Sequence, residues 1–152
     1  MPKIALVDDE QSILTSVSLS LQSEGFTVDT FLNGVDALEA LESKSYDLGL
    51  FDIKMPKMDG NELLSKVRSS KIENLKDLPI IFLTSKDHEQ DEIIGLRMGA
   101  SDYIKKPFSQ KLLNERIRTV LRIHNNRNEE QKDNNIKKQN FIKGDLILDE
   151  DK

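Results

Sequence analysis

The chain contains no cysteine. That excludes disulfides, thiol catalysis and cysteine-held metal, and it fits a reducing compartment. Long apolar runs are missing too. None approaches the roughly 18 residues of a membrane-spanning helix. The start, Met1-Pro2-Lys3 followed by Ile4-Ala5-Leu6-Val7, is too short an apolar stretch for a signal peptide. Nor does charge of one sign dominate. The net charge is −5 over 152 residues, and residues 1–123, with 16 Lys/Arg against 20 Asp/Glu, carry −4 of it. Bulk electrostatics therefore advertise neither nucleic acid nor a membrane surface. The expectation is one domain plus a short extension, located in the cytoplasm, with no membrane partner.

Strand and helix patterns alternate along the chain. Lys3–Val7, Thr27–Phe31, Asp47–Phe51, Pro79–Leu83 and Asp102–Ile104 read as strands. Between them, helical spacing predicts helices over Glu10–Glu24, Gly34–Ser43, Asp59–Ser69, Asp87–Met98 and Gln110–Ile123. Gly25 and Gly99 stand as stops. Five βα repeats with short connections imply an α/β fold whose parallel sheet is covered on both faces. Right-handed crossovers then favour a doubly wound, flavodoxin-like sheet with strand order 2-1-3-4-5.

After Ile123 the composition changes. Residues 124–140 hold six Asn and one aliphatic residue, Ile136. They read as a polar linker or a frayed extension of the fifth helix. From Phe141 to Asp149 an apolar, strand-like pattern resumes. A lone strand is marginal by itself, so residues 141–152 read as the first strand of a second domain.

Asp52 ends the apolar run Leu48–Phe51 and precedes the Met55-Pro56 turn. In open α/β sheets, ligands bind at the carboxyl ends of strands. Asp8 and Asp9 follow the run Ile4–Val7, Thr84 follows Ile80–Leu83, and Lys106 stands before Pro107. Taken singly, each has an ordinary use: an Asp or Thr caps a helix or turn, and a Lys is solvated. Together they converge on one sheet edge. Three carboxylates there would repel unless a hard divalent cation such as Mg²⁺ relieves them. Thr84 and Lys106 suit phosphoryl oxygens, and Asp52 can then be a nucleophile on phosphorus. His88 and His124 sit in no such constellation and read as solvent-facing.

The motifs Val7-Asp8-Asp9-Glu10, Asp52-Ile53-Lys54-Met55-Pro56, Thr84-Ser85 and Lys106-Pro107-Phe108 resemble the receiver domain of two-component response regulators, of which CheY is the minimal example. The resemblance covers residues 3–123. It implies that Asp52 accepts a phosphoryl group from a sensor histidine kinase. It implies further that Asp8, Asp9, Asp52 and the Lys54 backbone carbonyl hold Mg²⁺, that Thr84 and Lys106 contact the phosphoryl oxygens, and that Thr84 and Tyr103 form the switch. Lys54 and Lys86 flank the phosphate in this scheme and are expected to slow the water that removes it.

The linker and the Phe141–Leu148 strand resemble the start of an OmpR/PhoB-type winged-helix DNA-binding domain, largely missing from this chain. Leu14–Ser18, Phe51–Pro56 and Ile81–Asp87 are most similar to ChvI-type transcriptional regulators. The resemblance implies a homodimer on phosphorylation through the fourth helix, fifth strand and fifth helix. Asp102 and Arg116 stand where one ion pair of that face is expected. Ile94 and Leu112 replace a basic and an acidic partner, and Ser101 replaces another acid, so an apolar contact between Ile94 and Leu112 is expected instead. DNA would be reached through the missing domain alone. Two other readings compete. A stand-alone receiver signalling by protein contact needs no more than residues 1–123. A dehalogenase-like, Mg²⁺-dependent phosphatase also uses a strand-end Asp, but it needs an acid two residues later, where this chain has Lys54. The chain is therefore expected to catalyse no more than its own phosphorylation and dephosphorylation.

Overall fold

The structure is a computed structural model; it describes residues 1–85 and 89–144, as backbone alone at 91–92 and 129–144. The chain divides into two compact units, Met1–Val120 and Leu121–Lys152.

The first unit is a five-stranded parallel sheet flanked by helices. In chain order the elements are β1 (Lys3–Val7), α1 (Gln11–Ser23), β2 (Thr27–Phe31), α2 (Gly34–Ser43), β3 (Leu48–Asp52), α3 (Gly60–Arg68), α4 (Glu73–Lys76), β4 (Ile80–Thr84), α5 (Glu89–Arg97), β5 (Asp102–Lys105) and α6 (Gln110–Gly144). The strands lie in the expected order β2-β1-β3-β4-β5. The fourth and fifth helices of the sequence reading are α5 and α6, because the four-residue α4 precedes them. So short a helix leaves no apolar period to detect; it buries Leu75 alone.

Burial follows position in the sheet. Every residue of β3 and β4 is buried, whereas the edge strands β2 and β5 alternate or stay half-exposed. A strand covered on both faces must be apolar throughout, and an edge strand need not be. On one face Ala5, Val7, Phe51, Ile80 and Phe82 pack with Ala37 and Leu41 of α2 and Leu63, Leu64 and Val67 of α3. The alternate strand residues Ile4, Leu6, Leu48, Leu50, Ile81 and Leu83 point to the other face. There α1 buries Leu14, Val17 and Leu21. Arg118 of α6 pairs with Glu24 at 2.7 Å and lies 5.6 Å from the Phe26 ring centre. Helix starts are partly set by side chains: Asn33 accepts from the Asp36 amide at 2.9 Å, and Asp59 from the Glu62 amide at 2.8 Å.

The second unit is helical backbone as far as Gly144. Over 124–140 this is the extension of the fifth helix that stood beside the linker as an expectation, whereas helix at Phe141–Gly144 differs from the expected strand. No proline or glycine interrupts residues 110–143, and beyond Ile123 the Arg, Glu, Gln and Lys residues favour helix without an apolar period. Periodicity ends at Ile123, but the helical backbone continues. Within this helix Asn128 Nδ2 lies 3.3 Å from His124 Nε2, one turn apart. Residues 145–149 of the expected strand lie outside the described residues. Among the described residues, no helix is long and apolar enough to cross a membrane.

Candidate functional site

Ladder bonds bring the four sequence motifs to the carboxyl edge of the sheet. The Asp8 amide donates to the Phe31 carbonyl (3.1 Å), the Ile53 amide to Leu83 (3.1 Å), and the Lys106 amide to Thr84 (2.6 Å). Asp8 and Thr84 are fully buried, and Asp52 retains 7% of its surface. The Lys106–Pro107 peptide is cis.

The ammonium of Lys106 lies among carboxylates. Its Nζ is 2.8 Å from Asp8 Oδ2, 3.6 Å from Asp52 Oδ1 and 3.6 Å from Glu10 Oε1. The second oxygen of Asp8 accepts from the Glu10 amide at 2.9 Å. Asp8, Asp9 and Asp52 each offer an oxygen within 4.8 Å of the others. Asp9 is exposed, and the cap position before α1 is Glu10, which makes no side-chain cap bond, so Asp9 is not consumed in capping that helix.

This crowding sets the electrostatics. Burial, then the neighbouring Asp8 carboxylate, push Asp52 up to about 7; Lys106 opposes them and Asp9 adds to them. Burial also raises Asp8, although its hydrogen bond from Lys106 pulls the other way. For Lys106 burial works downward, but the bond to Asp8 and the fields of Asp52 and Glu10 outweigh it, and its ammonium is held above the usual range. One cation thus serves several acids, and Asp52 is the acid left least relieved. A hard divalent cation fits this donor set, because it would supply the missing positive charge to anionic oxygens that already converge.

The loop after Asp52 is closed on itself. The Gly60 amide donates to the Ile53 carbonyl at 2.7 Å, and a Cβ at Gly60 would lie 2.5 Å from the Asp52 carbonyl oxygen. Met55 and Met58 are buried under the loop, and between them Lys57 adopts φ 69°, a left-handed backbone that costs a non-glycine residue roughly 1 kcal/mol or more. The packing of Met55, Met58 and Gly60 therefore holds the loop, and with it the Asp52 backbone, in one conformation.

The other sequence-derived residues are placed differently. Thr84 Oγ1 donates to the Ser85 carbonyl at 3.2 Å. Tyr103 is half-buried on β5, in register with Phe82 rather than in the acid pocket. Ile94 on α5 and Leu112 on α6 are close to half exposed. Asp102 and Arg116 pair with each other within the chain at 2.8 Å. Ser101 is exposed and Lys54 lies on the exposed side of the loop. Lys86 and His88 lie outside the described residues. Sequence reasoning gave no role to Glu10, Lys57 or Gly60. The third acid of Asp8-Asp9-Glu10 and the glycine closing the Met-Pro loop were the available signals.

Comparison with known proteins agrees with this geometry. Residues 4–118 match the family described as the response regulator receiver domain. The chain is 41% identical over 120 residues to the alkaline phosphatase synthesis transcriptional regulatory protein PhoP of Bacillus subtilis (strain 168), covering 79% of this chain and 48% of that one. It spans about half the length of the curated relatives it matches. Among solved structures, a CheY-like receiver domain protein from Methanospirillum hungatei JF-1 superposes with a TM-score of 0.77 at 31% identity, covering 84% of this chain and 98% of that one. The receiver domain of the sensor histidine kinase PA1611 from Pseudomonas aeruginosa PAO1 gives 0.72 at 29% identity, covering 79% and 97%; that structure has a magnesium ion coordinated in its active site cleft.

Proposed function

The chain belongs to the response regulator receiver family, and from that premise we propose that Asp52 accepts a phosphoryl group from a sensor histidine kinase. The observation that carries this is the pocket itself. A buried carboxylate ends a central strand, 3.6 Å from the Lys106 ammonium and within reach of two further carboxylates. In the proposed step an Asp52 oxygen bonds to phosphorus as the bond from phosphorus to the kinase's histidine nitrogen breaks. The electron pair, and a proton from solvent, go to that nitrogen. Asp8, Asp9, Asp52 and the Lys54 carbonyl would hold Mg²⁺, which supplies charge neutralisation for the incoming phosphoryl group. Lys106, already beside Asp52, turns from Asp8 toward the new phosphoryl oxygens. The Thr84 hydroxyl leaves the Ser85 carbonyl to reach the same oxygens. The room it vacates admits Tyr103 inward, and the α5–β5–α6 face changes.

That face then pairs with a second copy through Ile94 and Leu112, beside the Asp102–Arg116 pair that each copy holds within itself at 2.8 Å. Control of transcription is assigned to a winged-helix domain of OmpR/PhoB type, consistent with a relative that is a transcriptional regulator. The ChvI-like motifs favour a regulator paired with a membrane sensor kinase. The net charge of −4 over residues 1–123 does not favour DNA binding by the receiver itself. The test is phosphoryl transfer from a small donor such as phosphoramidate. Wild type should acquire a hydroxylamine-sensitive acyl phosphate in Mg²⁺ and none in chelator. A label that persists in Asp52→Asn would overturn the assignment.

A further inference from the structure

Among the described residues of helix α5, a glycine makes a close contact with the sheet. Among its described side chains none is buried: Ile93, Ile94 and Leu96 are each close to half exposed, and the one buried position is Gly95. A surface helix normally buries an apolar stripe. Here the close contact is Gly95, in the last turn, against Phe82 of β4, where a Cβ would stand 2.1 Å from the ring. Beside it lies Asn61 Oδ1 of α3, buried and with no hydrogen-bond partner among the described residues. An acceptor left without a donor weakens the contact that encloses it.

The carboxyl end of α5 is held by Met98 and Ala100, partly buried against the core, and by a set of hydrogen bonds. The amides of Met98, Gly99 and Ala100 donate back to Ile94, Leu96 and Gly95, and Gly99 closes the helix at φ 104°. The Gly99 carbonyl accepts from Arg68 Nη2 at 2.7 Å. Arg68 Nη1 donates to the Leu78 carbonyl at 2.7 Å and to the Lys76 carbonyl at 3.1 Å. One guanidinium fork thus ties the end of α3, the end of α4, the entry to β4 and the end of α5. The space beside Gly99 is filled by the same side chain, since a Cβ there would lie 3.0 Å from Arg68 Nε. This end sits at the amino edge of the sheet, before β4 and β5. The opposite end of α5 follows Thr84, at the carboxyl edge that carries the acid pocket.

We propose that Arg68 is a positioning residue that tethers the carboxyl end of α5, so that the helix answers the pocket by swinging about Gly99. The inference rests on the pocket being the phosphoryl site, but the tether itself exists in the resting protein and can be tested there. The experiment is residue-resolved amide hydrogen exchange on the full chain, before and after loading with beryllofluoride and Mg²⁺. In wild type, loading should change exchange at Ile93 and Ile94 and leave Met98, Gly99 and Ala100 unaltered. In Arg68→Met those three amides should exchange at least about tenfold faster even at rest, with the β1 amides unchanged and beryllofluoride affinity within about twofold of wild type. Arg68→Lys, which keeps the charge but loses the fork, is read the same way if Arg68→Met does not fold. Unchanged exchange at Met98–Ala100 in the variant would overturn the tether. So would acceleration spread equally through β1, or a wild-type response at Gly99 as large as at Ile94. Failure of wild type to bind beryllofluoride would instead count against the phosphoryl site and leave the resting-state comparison intact.

Discussion

The acid pocket and the α5–β5–α6 face are built on opposite terms. The pocket groups stand at or just past the ends of β1, β3, β4 and β5, and Asp8, Asp52 and Thr84 are buried there. The face is made of an edge strand, a helix whose described side chains are all exposed, and apolar residues left in solvent at Ile93, Ile94, Leu96 and Leu112. Chemistry needs groups held to a fraction of an ångström, and central strands supply that. A surface that must change needs weak attachment, and such elements belong to the low-stability end of a fold. The difference sets the proposed phosphoacceptor among buried strand ends and its proposed output on a half-exposed edge.

The comparison can be broken most severely at Asp52. Asp52→Asn should abolish phosphoryl uptake completely, measured as loss of the acyl phosphate, while the fold persists. Next in size is Gly60→Ala. Its Cβ would meet the Asp52 backbone oxygen at 2.5 Å, and backbone cannot move aside cheaply. Overpacking of this kind costs roughly 1–3 kcal/mol, read by denaturant melts, with beryllofluoride affinity falling as the pocket shifts. An unchanged melt would show that the loop after Asp52 is not the rigid support described here.

A smaller effect follows from charge crowding. Burial and Asp8 raise Asp52 from 3.8 to about 7. The native state therefore keeps a proton that the unfolded chain releases. The stability this contributes is lost as pH rises from about 4 toward 7. Asp52→Asn removes the penalty, so its melting advantage over wild type should be greater at pH 7 than at pH 5.5, by roughly 1–2 kcal/mol. An advantage independent of pH would remove the account of Asp52 as the least relieved acid. The smallest effect on stability is expected on the other region. Ile94→Arg should change the melt by less than about 0.5 kcal/mol, as a half-exposed position allows. It should nevertheless prevent dimer formation after loading, seen by sedimentation. Dimerisation that survives Ile94→Arg would sharpen the comparison against an apolar face.

The two regions also differ in how legible they were in the sequence. Buried strands announce themselves: Leu48–Phe51 and Ile80–Leu83 can sit nowhere but inside, and the polar residue that follows each run falls at the sheet edge. The strand order and the convergence of Asp8, Asp52, Thr84 and Lys106 followed from that. The 2.8 Å pairing of Lys106 with Asp8 spans 98 positions, and no local pattern encodes it. Glu10 escaped notice for the same reason. Gly60 and Lys57 act through backbone geometry, which a residue list does not show. At the periphery the signal fails. α4 is too short to have a period, and α6 continues past Ile123 on polar residues that form helix without an apolar stripe. The Arg68 fork joins three main-chain carbonyls, and carbonyls carry no sequence information.

The central claim is that Asp52 is a phosphoacceptor whose occupancy is read on a distant face. The most direct measurement is a beryllofluoride titration in Mg²⁺, followed at the Tyr103 ring by NMR. The account predicts a saturable one-to-one change at Tyr103 that disappears in Asp52→Asn and in chelator. A folded wild-type chain whose Tyr103 signal stays unchanged at saturating beryllofluoride and Mg²⁺ would contradict it.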